Sequence, residues 1–300
     1  MRISTSMLHD LGVNAINSQL AQLVKTQQQL ATGRRILAPE DDPVASASAL
    51  QNEKALGVTK QHNENLATAR SALGLEEAVL SSTTRVFQAA RQTVISAGNA
   101  TLSASDRATL ANTLRGNYEE LLSLANSRDG QGNYMFAGFK TSTQPFTQTS
   151  GAAVYAGDQG QRKLQISDSR QIAVSDSGQD LFKPGVTGSD PFATIENFIT
   201  ALSTGAPVTA LALSTALNEL DTAMNNVLRI HSGIGSRLNE LDASENNNLD
   251  SAFQYESTLS NLRDLDYTKA ISDLTRQQAT LEAAQKSFVR VQGLSLFNFI

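Results

Sequence analysis

The chain has no cysteine, and that one absence removes disulfides, thiolate metal sites and thiol catalysis together. Tryptophan is missing too, and aromatic residues make up only 5% of the sequence. Aromatic side chains anchor many compact cores and ligand pockets. Their scarcity beside abundant Ala, Leu, Gln, Ser and Asn points to long helices packed side by side. A basic field is also lacking: the formal charge is −5, and no Lys/Arg stripe is interleaved with aromatics. Nucleic acid is therefore not an expected partner. No stretch is apolar for long enough to span a bilayer, and Met1-Arg2-Ile3-Ser4-Thr5-Ser6 lacks the apolar segment of a secretory signal. Neither a membrane partner nor a cleavable leader is expected.

What is present is ordered-protein composition, with 40% apolar and 18% charged residues over 300 positions. That length allows one large domain or two to three smaller ones. Near the start, Val13, Ile16, Leu20, Leu23, Gln27 and Leu30 recur at 3-4 spacing and place one narrow apolar seam along a helix. The run Ala38-Pro39-Glu40-Asp41-Asp42-Pro43 breaks that helix, and Asp42 before Pro43 reads as the cap of a second one. The second helix repeats every seven residues through Leu66, Leu73, Leu80, Phe87 and Val94, with its end at Ser96 to Asn99. A third opens near Ser103 to Ser105 and presents Leu110, Leu114, Leu121 and Leu124.

From Tyr134 to about Phe182 the text changes to short strand-like runs separated by Gly, Ser, Asp and Pro. Ala153 to Tyr155, Arg162 to Ser167 and Gln171 to Ser175 are the expected strands, with turns at Gly157 to Gly160 and Asp168-Ser169. This reads as a β-rich insertion that folds locally and can be deleted. Asp190-Pro191 starts a further helix striped by Phe192, Ile195, Phe198, Ile199 and Leu202. The longest periodic signal runs from Leu213 to Leu262. Its phase shifts by one at Asp264-Leu265-Asp266-Tyr267, and Ala270, Leu274, Gln277, Leu281, Ala284, Phe288 and Val291 then resume it. The shift marks a joint. Apolar residues Leu294, Leu296, Phe297, Phe299 and Ile300 close the chain and imply a partner surface.

A search for reactive chemistry comes up empty. His9, His62 and His231 sit in no HExxH or comparable short ligand spacing, and His231 falls on the heptad seam, which favours a packed or capping role. Asp158, Asp168, Asp176 and Asp180 lack the twelve-residue loop of a calcium site and read as turn residues. Gly233-Ile234-Gly235 lies inside a continuing heptad and not between strand and helix, so helix relaxation or close packing is expected there instead of phosphate binding. No catalytic residue, cofactor or metal site is expected.

Both ends resemble the flagellin-like family of bacterial flagellar axial proteins. The resemblance is carried by Arg2-Ile3-Ser4-Thr5, by Gln27 to Asp42 reading QQQLATGRRILAPEDD, by Leu262 to Asp273 reading LRDLDYTKAISD, and by Gln278 to Ile300. It covers most of the chain, strongly at the ends and weakly in the middle. Thr32 to Leu37 leading into Pro39, the run Tyr134-Met135-Phe136-Ala137-Gly138, and the closing Leu294 to Ile300 are more similar to hook–filament junction members than to filament subunits. Receptor-recognised flagellins carry Gln-Arg-x-Arg-Glu where Gln88-Ala89-Ala90-Arg91-Gln92 stands here, so no receptor activity is carried over.

The expected fold is mainly α: a long helical coiled-coil bundle formed by both chain ends, with a small β-rich inserted domain. Residues 1–40 with 265–300 would form a terminal coiled coil, 41–133 with 190–264 a central helical bundle, and 134–189 the insertion. Two helices alone bury too little apolar surface to hold, so the terminal pair would need neighbouring subunits. The expected assembly interface is Val13, Ile16, Leu20, Leu23, Leu30, Leu274, Leu281, Phe288, Val291, Leu294, Leu296 and Phe297. Pro39, Asp41, Asp42, Pro43, Asp264, Asp266 and Tyr267 form the expected hinges or turns. The resemblance implies a non-enzymatic, extracellular subunit that is exported without a cleavable signal and met by a flagellar export chaperone. It implies a ring of identical copies set between a first hook-associated junction protein and flagellin. A short flagellin and a cytoplasmic coiled-coil scaffold are the alternatives.

Overall fold

The computed structural model describes residues 5–149, 152–183 and 185–297. In chain order the elements are α1 (Thr5–Thr32), α2 (Pro43–Ala97), α3 (Ala104–Ala125), β1 (Phe146–Thr149), β2 (Ala152–Tyr155), β3 (Lys163–Ser167), β4 (Arg170–Ala173), α4 (Gly178–Phe182), α5 (Pro191–Ser203), α6 (Ala210–Arg263) and α7 (Tyr267–Phe297). The fold is mainly α with a small β-rich insert, as the periodicities require. It divides into two compact units, residues 1–58 with 250–300 and residues 59–249. The helices α2 and α6 each supply residues to both.

Capping chemistry sets several of the boundaries. Ser103 and Asp106 form a reciprocal capping box at the start of α3, where the Asp106 N–H donates to the Ser103 hydroxyl and the Ser103 N–H to the Asp106 carboxylate, each at 3.1 Å. The Asp190 carboxylate accepts the Phe192 and Ala193 N–H groups, and Pro191 stands at the first helical position of α5. Apolar stripes then do what their spacing requires. Leu66, Leu73, Leu80, Phe87 and Val94 of α2 are all buried, as are Phe192, Ile195, Phe198, Ile199 and Leu202 of α5. On α3 Leu114 and Leu121 are buried with Tyr118 between them, while Leu110 and Leu124 are only partly covered.

The insertion contains two separate antiparallel hairpins, β1 with β2 and β3 with β4. Strand β1 and the short helix α4 carry no clear sequence signal: Thr147, Gln148 and Thr149 are polar, and α4 is a single turn opened by Ser177.

The insertion, expected to fold locally, packs directly against the helices. Six of the scarce aromatics, Tyr118, Phe136, Phe146, Tyr155, Phe182 and Phe192, form one cluster that joins it to the helices. The Phe146 ring of β1 lies 5.4 Å from both Phe182 of α4 and Phe192 of α5, and Tyr118 of α3 meets Phe192 edge-on at 5.8 Å. Polar bonds bolt the same joint. Asn126, just past α3, pairs both its amide groups with the Phe146 backbone at 2.9 Å, Asn65 of α2 donates to the Gln165 carbonyl at 2.7 Å, and Asn248 of α6 donates to the Ile166 carbonyl at 3.1 Å.

Asp176 likewise departs from the expected turn role. Its carboxylate is paired with Arg237 of α6, and its N–H donates to buried Glu76 of α2 at 3.2 Å. Arg237 also donates to the Ala173 carbonyl at 3.1 Å. Burial, reinforced by the nearby Asp176 charge, pushes the Glu76 carboxyl up to about 8, while Arg237 and Arg162 act against the rise.

Candidate assembly interface

The first unit pairs the two ends of the chain, α1 against α7. Leu23 and Ala270 are buried, whereas Val13, Ile16, Leu30, Leu274, Leu281 and Phe288 are only half-buried. At the open end the Phe288 ring lies directly over Gly12, where a Cβ would come within 2.6 Å of it, and beside the His9 ring at 5.3 Å. A glycine at position 12 is what lets an aromatic close a two-helix seam.

Two expected seam residues stand off it. Leu20 is 46% exposed and Val291 55% exposed. On α1 Thr26 is buried and Gln19 half-buried in place of Leu20, because a helix of 3.6 residues per turn drifts away from a strict 3-4 repeat by about 20° each heptad. Met7, Leu11, Val24, Ile271 and Val289 are exposed as well. Leu20 and Val24 line, with Leu37 and Ala38, an open groove of about 520 Å³. Helix α7 reaches Phe297, but the side chains of Leu294, Leu296 and Phe297, like residues 298–300 entirely, lie outside the described residues.

The two breaks in helical geometry are stitched to each other. Gly33 ends α1 in the left-handed conformation (φ 67°) that glycine adopts without a Cβ penalty. Its carbonyl accepts the Leu265 N–H at 3.0 Å, the Arg35 N–H donates to the Arg263 carbonyl at 2.7 Å, and the Arg35 guanidinium donates to the Leu262 carbonyl at 2.8 Å. Tyr267, although largely exposed, sets its hydroxyl against Gly33, where a Cβ would lie 2.7 Å away.

The acidic turn residues are all engaged. Asp41 accepts the Lys25 ammonium at 2.5 Å and the Leu37 and Ala38 N–H groups at 2.9 and 3.2 Å. Those donors, Lys25 foremost, hold its carboxyl down to about 2. Asp42 accepts the Ala45 N–H at 3.0 Å and the Arg35 guanidinium at 3.3 Å, which hold it below the ordinary carboxylate range. Pro43 opens α2 and Pro39 stands exposed in the turn. Asp264 accepts the Ser260 hydroxyl, and Asp266 caps α7 by accepting the Lys269 N–H at 3.1 Å.

His62 lies 4.0 Å from Asp168 and His231 3.7 Å from Glu77, each an isolated pairing. Among the described residues no group of three or more His, Asp or Glu side chains is placed to hold a metal ion. Gly233 and Gly235 continue α6 without close packing, since a Cβ at Gly235 would meet nothing within 4 Å.

Both chain ends joined as one helical unit, with a second unit between them, define the class of a flagellin-like protein. The bacterial flagellin N-terminal helical region matches residues 3–141, and the bacterial flagellin C-terminal helical region matches residues 217–300. The chain is 35% identical over 317 aligned positions to flagellar hook-associated protein 3 of Salmonella typhimurium, spanning 99% of each protein. It is 34% identical to the Escherichia coli protein of the same name, again over 99% of each. The flagellar junction protein FlgL from Legionella pneumophila shares the fold, with a TM-score of 0.59 and 23% identity over 72% of this chain and all of that one. The chain therefore belongs to the flagellin-like family and, within it, to the group of flagellar hook-associated protein 3.

Proposed function

We infer that this chain is a structural subunit of the bacterial flagellum that forms the junction between hook and filament through its terminal helices. The observation that carries the reading is the half-buried seam between α1 and α7, flanked by exposed Leu20, Val24, Ile271, Val289 and Val291. Two helices with an incomplete core are stabilised by neighbours that cover the remaining apolar surface. Residues 1–40 with 265–300 serve as the assembling part, 41–133 with 190–264 as the helical body and 134–189 as the insert. The stretches from Pro39 to Pro43 and from Asp264 to Tyr267 act as the joints between assembling part and body.

The subunit forms a ring of identical copies, with the first hook-associated junction protein below it and flagellin above. It works outside the cell after export by the flagellar apparatus, delivered by a dedicated chaperone and without leader cleavage. The test is removal of the gene. Cells without the protein are expected to carry hooks but no filaments and to shed intact flagellin, and the full chain restores filaments. Filaments of normal length in the deleted strain would overturn the reading and favour a minor filament subunit. Sequencing the exported protein from its amino end tests leader cleavage directly.

A further inference from the structure

The second unit carries a projecting aromatic side chain and an apolar groove that the seam of α1 and α7 does not use. Phe139 is 66% exposed at the tip of a tight turn. Exposure there does not come with looseness. The Asp158 carboxylate accepts the N–H groups of both Phe139 and Gly160 at 2.8 Å, and the Tyr155 hydroxyl donates to the Asp158 carbonyl at 2.7 Å. Gly138 is left-handed (φ 71°), with no room for a Cβ against Asp158, and Gly160 lets the Phe139 ring lie on its backbone. An aromatic side chain already fixed in its bound orientation loses little entropy on docking, which is the character of a binding hot spot.

The groove has a volume of about 590 Å³ and is lined by Ala72, Leu75, Met135, Leu164 and Val174. Arg162 also lines it, and among the described residues its buried Nε–H has no hydrogen-bond partner. Asp129 stands on the same lining, and Lys140, next to Phe139, is exposed. The two features face opposite ways. Lys163 borders the hollow beside Phe139, whereas Leu164, the next residue of β3, borders the groove, and successive side chains of a strand point to opposite faces.

We propose that Phe139 of one copy seats in the Arg162-lined groove of the next, a head-to-tail contact between second units. Chemical complementarity favours a second copy as the occupant. The aromatic face meets the Arg162 guanidinium, apolar groove walls cover the ring edge, and Lys140 approaches Asp129. Unlike patches in contact generate a ring when the rotation closes, which a self-complementary patch does not. The proposal rests on the junction reading for its setting but is tested separately from it.

Because the natural chain has no cysteine, engineered pairs report the contact without background. Full-length chain carrying both Ser71→Cys in the groove and Gln159→Cys beside Phe139 is expressed in the deleted strain, and detached hook–filament junctions are oxidised. A ladder of cross-linked multimers is expected from the double variant and not from either single variant. Adding Phe139→Ala should reduce the ladder at least about tenfold, the loss of a hot-spot side chain. If filaments form normally yet no ladder appears, the contact is wrong while the junction reading stands. Cross-linking of Gln159→Cys to a different flagellar protein would also overturn it. Should Ser71→Cys disturb assembly, Thr68→Cys on the same groove replaces it, and a filament-supporting pair without a ladder is equally decisive.

Discussion

Phe146 of β1 and Phe192 of α5 are both fully buried with ring centroids 5.4 Å apart, so the insertion and the helices share one core. Phe146→Ala should therefore destabilise the whole second unit by about 3–5 kcal/mol, the usual cost of removing a large buried ring. Calorimetry is expected to show one transition for residues 59–249 moving to lower temperature. A separate early transition for the insertion, with the helices melting as before, would show that the cores are independent.

The buried Glu76 side chain makes the same joint sensitive to pH. Its carboxyl is raised by burial and by Asp176 to about 8 from an ordinary 4.5, so between those values the folded protein holds a proton that the unfolded chain has lost. Stability should fall as pH rises from about 4.5 to about 8 and level off above. Denaturant unfolding across that range measures the slope, and Glu76→Gln, which keeps an acceptor for the Asp176 N–H without ionising, should flatten it. An unchanged slope in Glu76→Gln would assign the dependence to other groups.

How much of this was legible follows from where the information lies. Heptads such as Leu66 to Val94 mark one helix face whatever they pack against, and Asp42-Pro43 and Asp190-Pro191 set helix starts by local chemistry alone, so these could be read directly. Leu20 could not be assigned to a face, because a 3-4 pattern on one helix does not fix the rotation at which α7 approaches. The aromatic cluster was also out of reach: Phe136, Phe146, Phe182 and Phe192 are dispersed along the chain and meet only once the helices are packed. Asp176 reads as a turn residue from its Ser and Gly neighbours, and Arg237, 61 positions away, and Glu76, 100 positions away, give it a different role.

Gly33 is the tightest point of the stitched connector. Gly33→Ala places a Cβ in the left-handed region, at a cost of about 1–2 kcal/mol, and against the Tyr267 hydroxyl. Faster proteolysis between residues 33 and 42, with the second unit melting unchanged, is the expected outcome. A variant as resistant as the natural chain would mean that the connector tolerates a different path.

The terminal unit allows a sharper test, because its residues divide into those that hold α1 to α7 and those that face away. Leu281 and Phe288 belong to the seam, where an aspartate would place a charge in a partly dry interface that disfavours it. Leu281→Asp and Phe288→Asp should loosen the pairing of α1 with α7 in the isolated chain, seen as faster amide exchange in both helices. Leu20 lies off the seam, so Leu20→Asp should leave exchange in the isolated chain unchanged and alter its stability by no more than about 0.5 kcal/mol. Each large apolar side chain covered by a neighbour contributes about 1.5–3 kcal/mol, and a ring multiplies the contribution by its number of copies. All three variants are accordingly expected to fail in joining hooks to filaments, so that flagellin appears in the medium, with export of each variant measured alongside. If Leu20→Asp is exported and supports full-length filaments, that face of α1 is not an intersubunit surface; if Leu281→Asp and Phe288→Asp do so, the seam itself is dispensable to the junction.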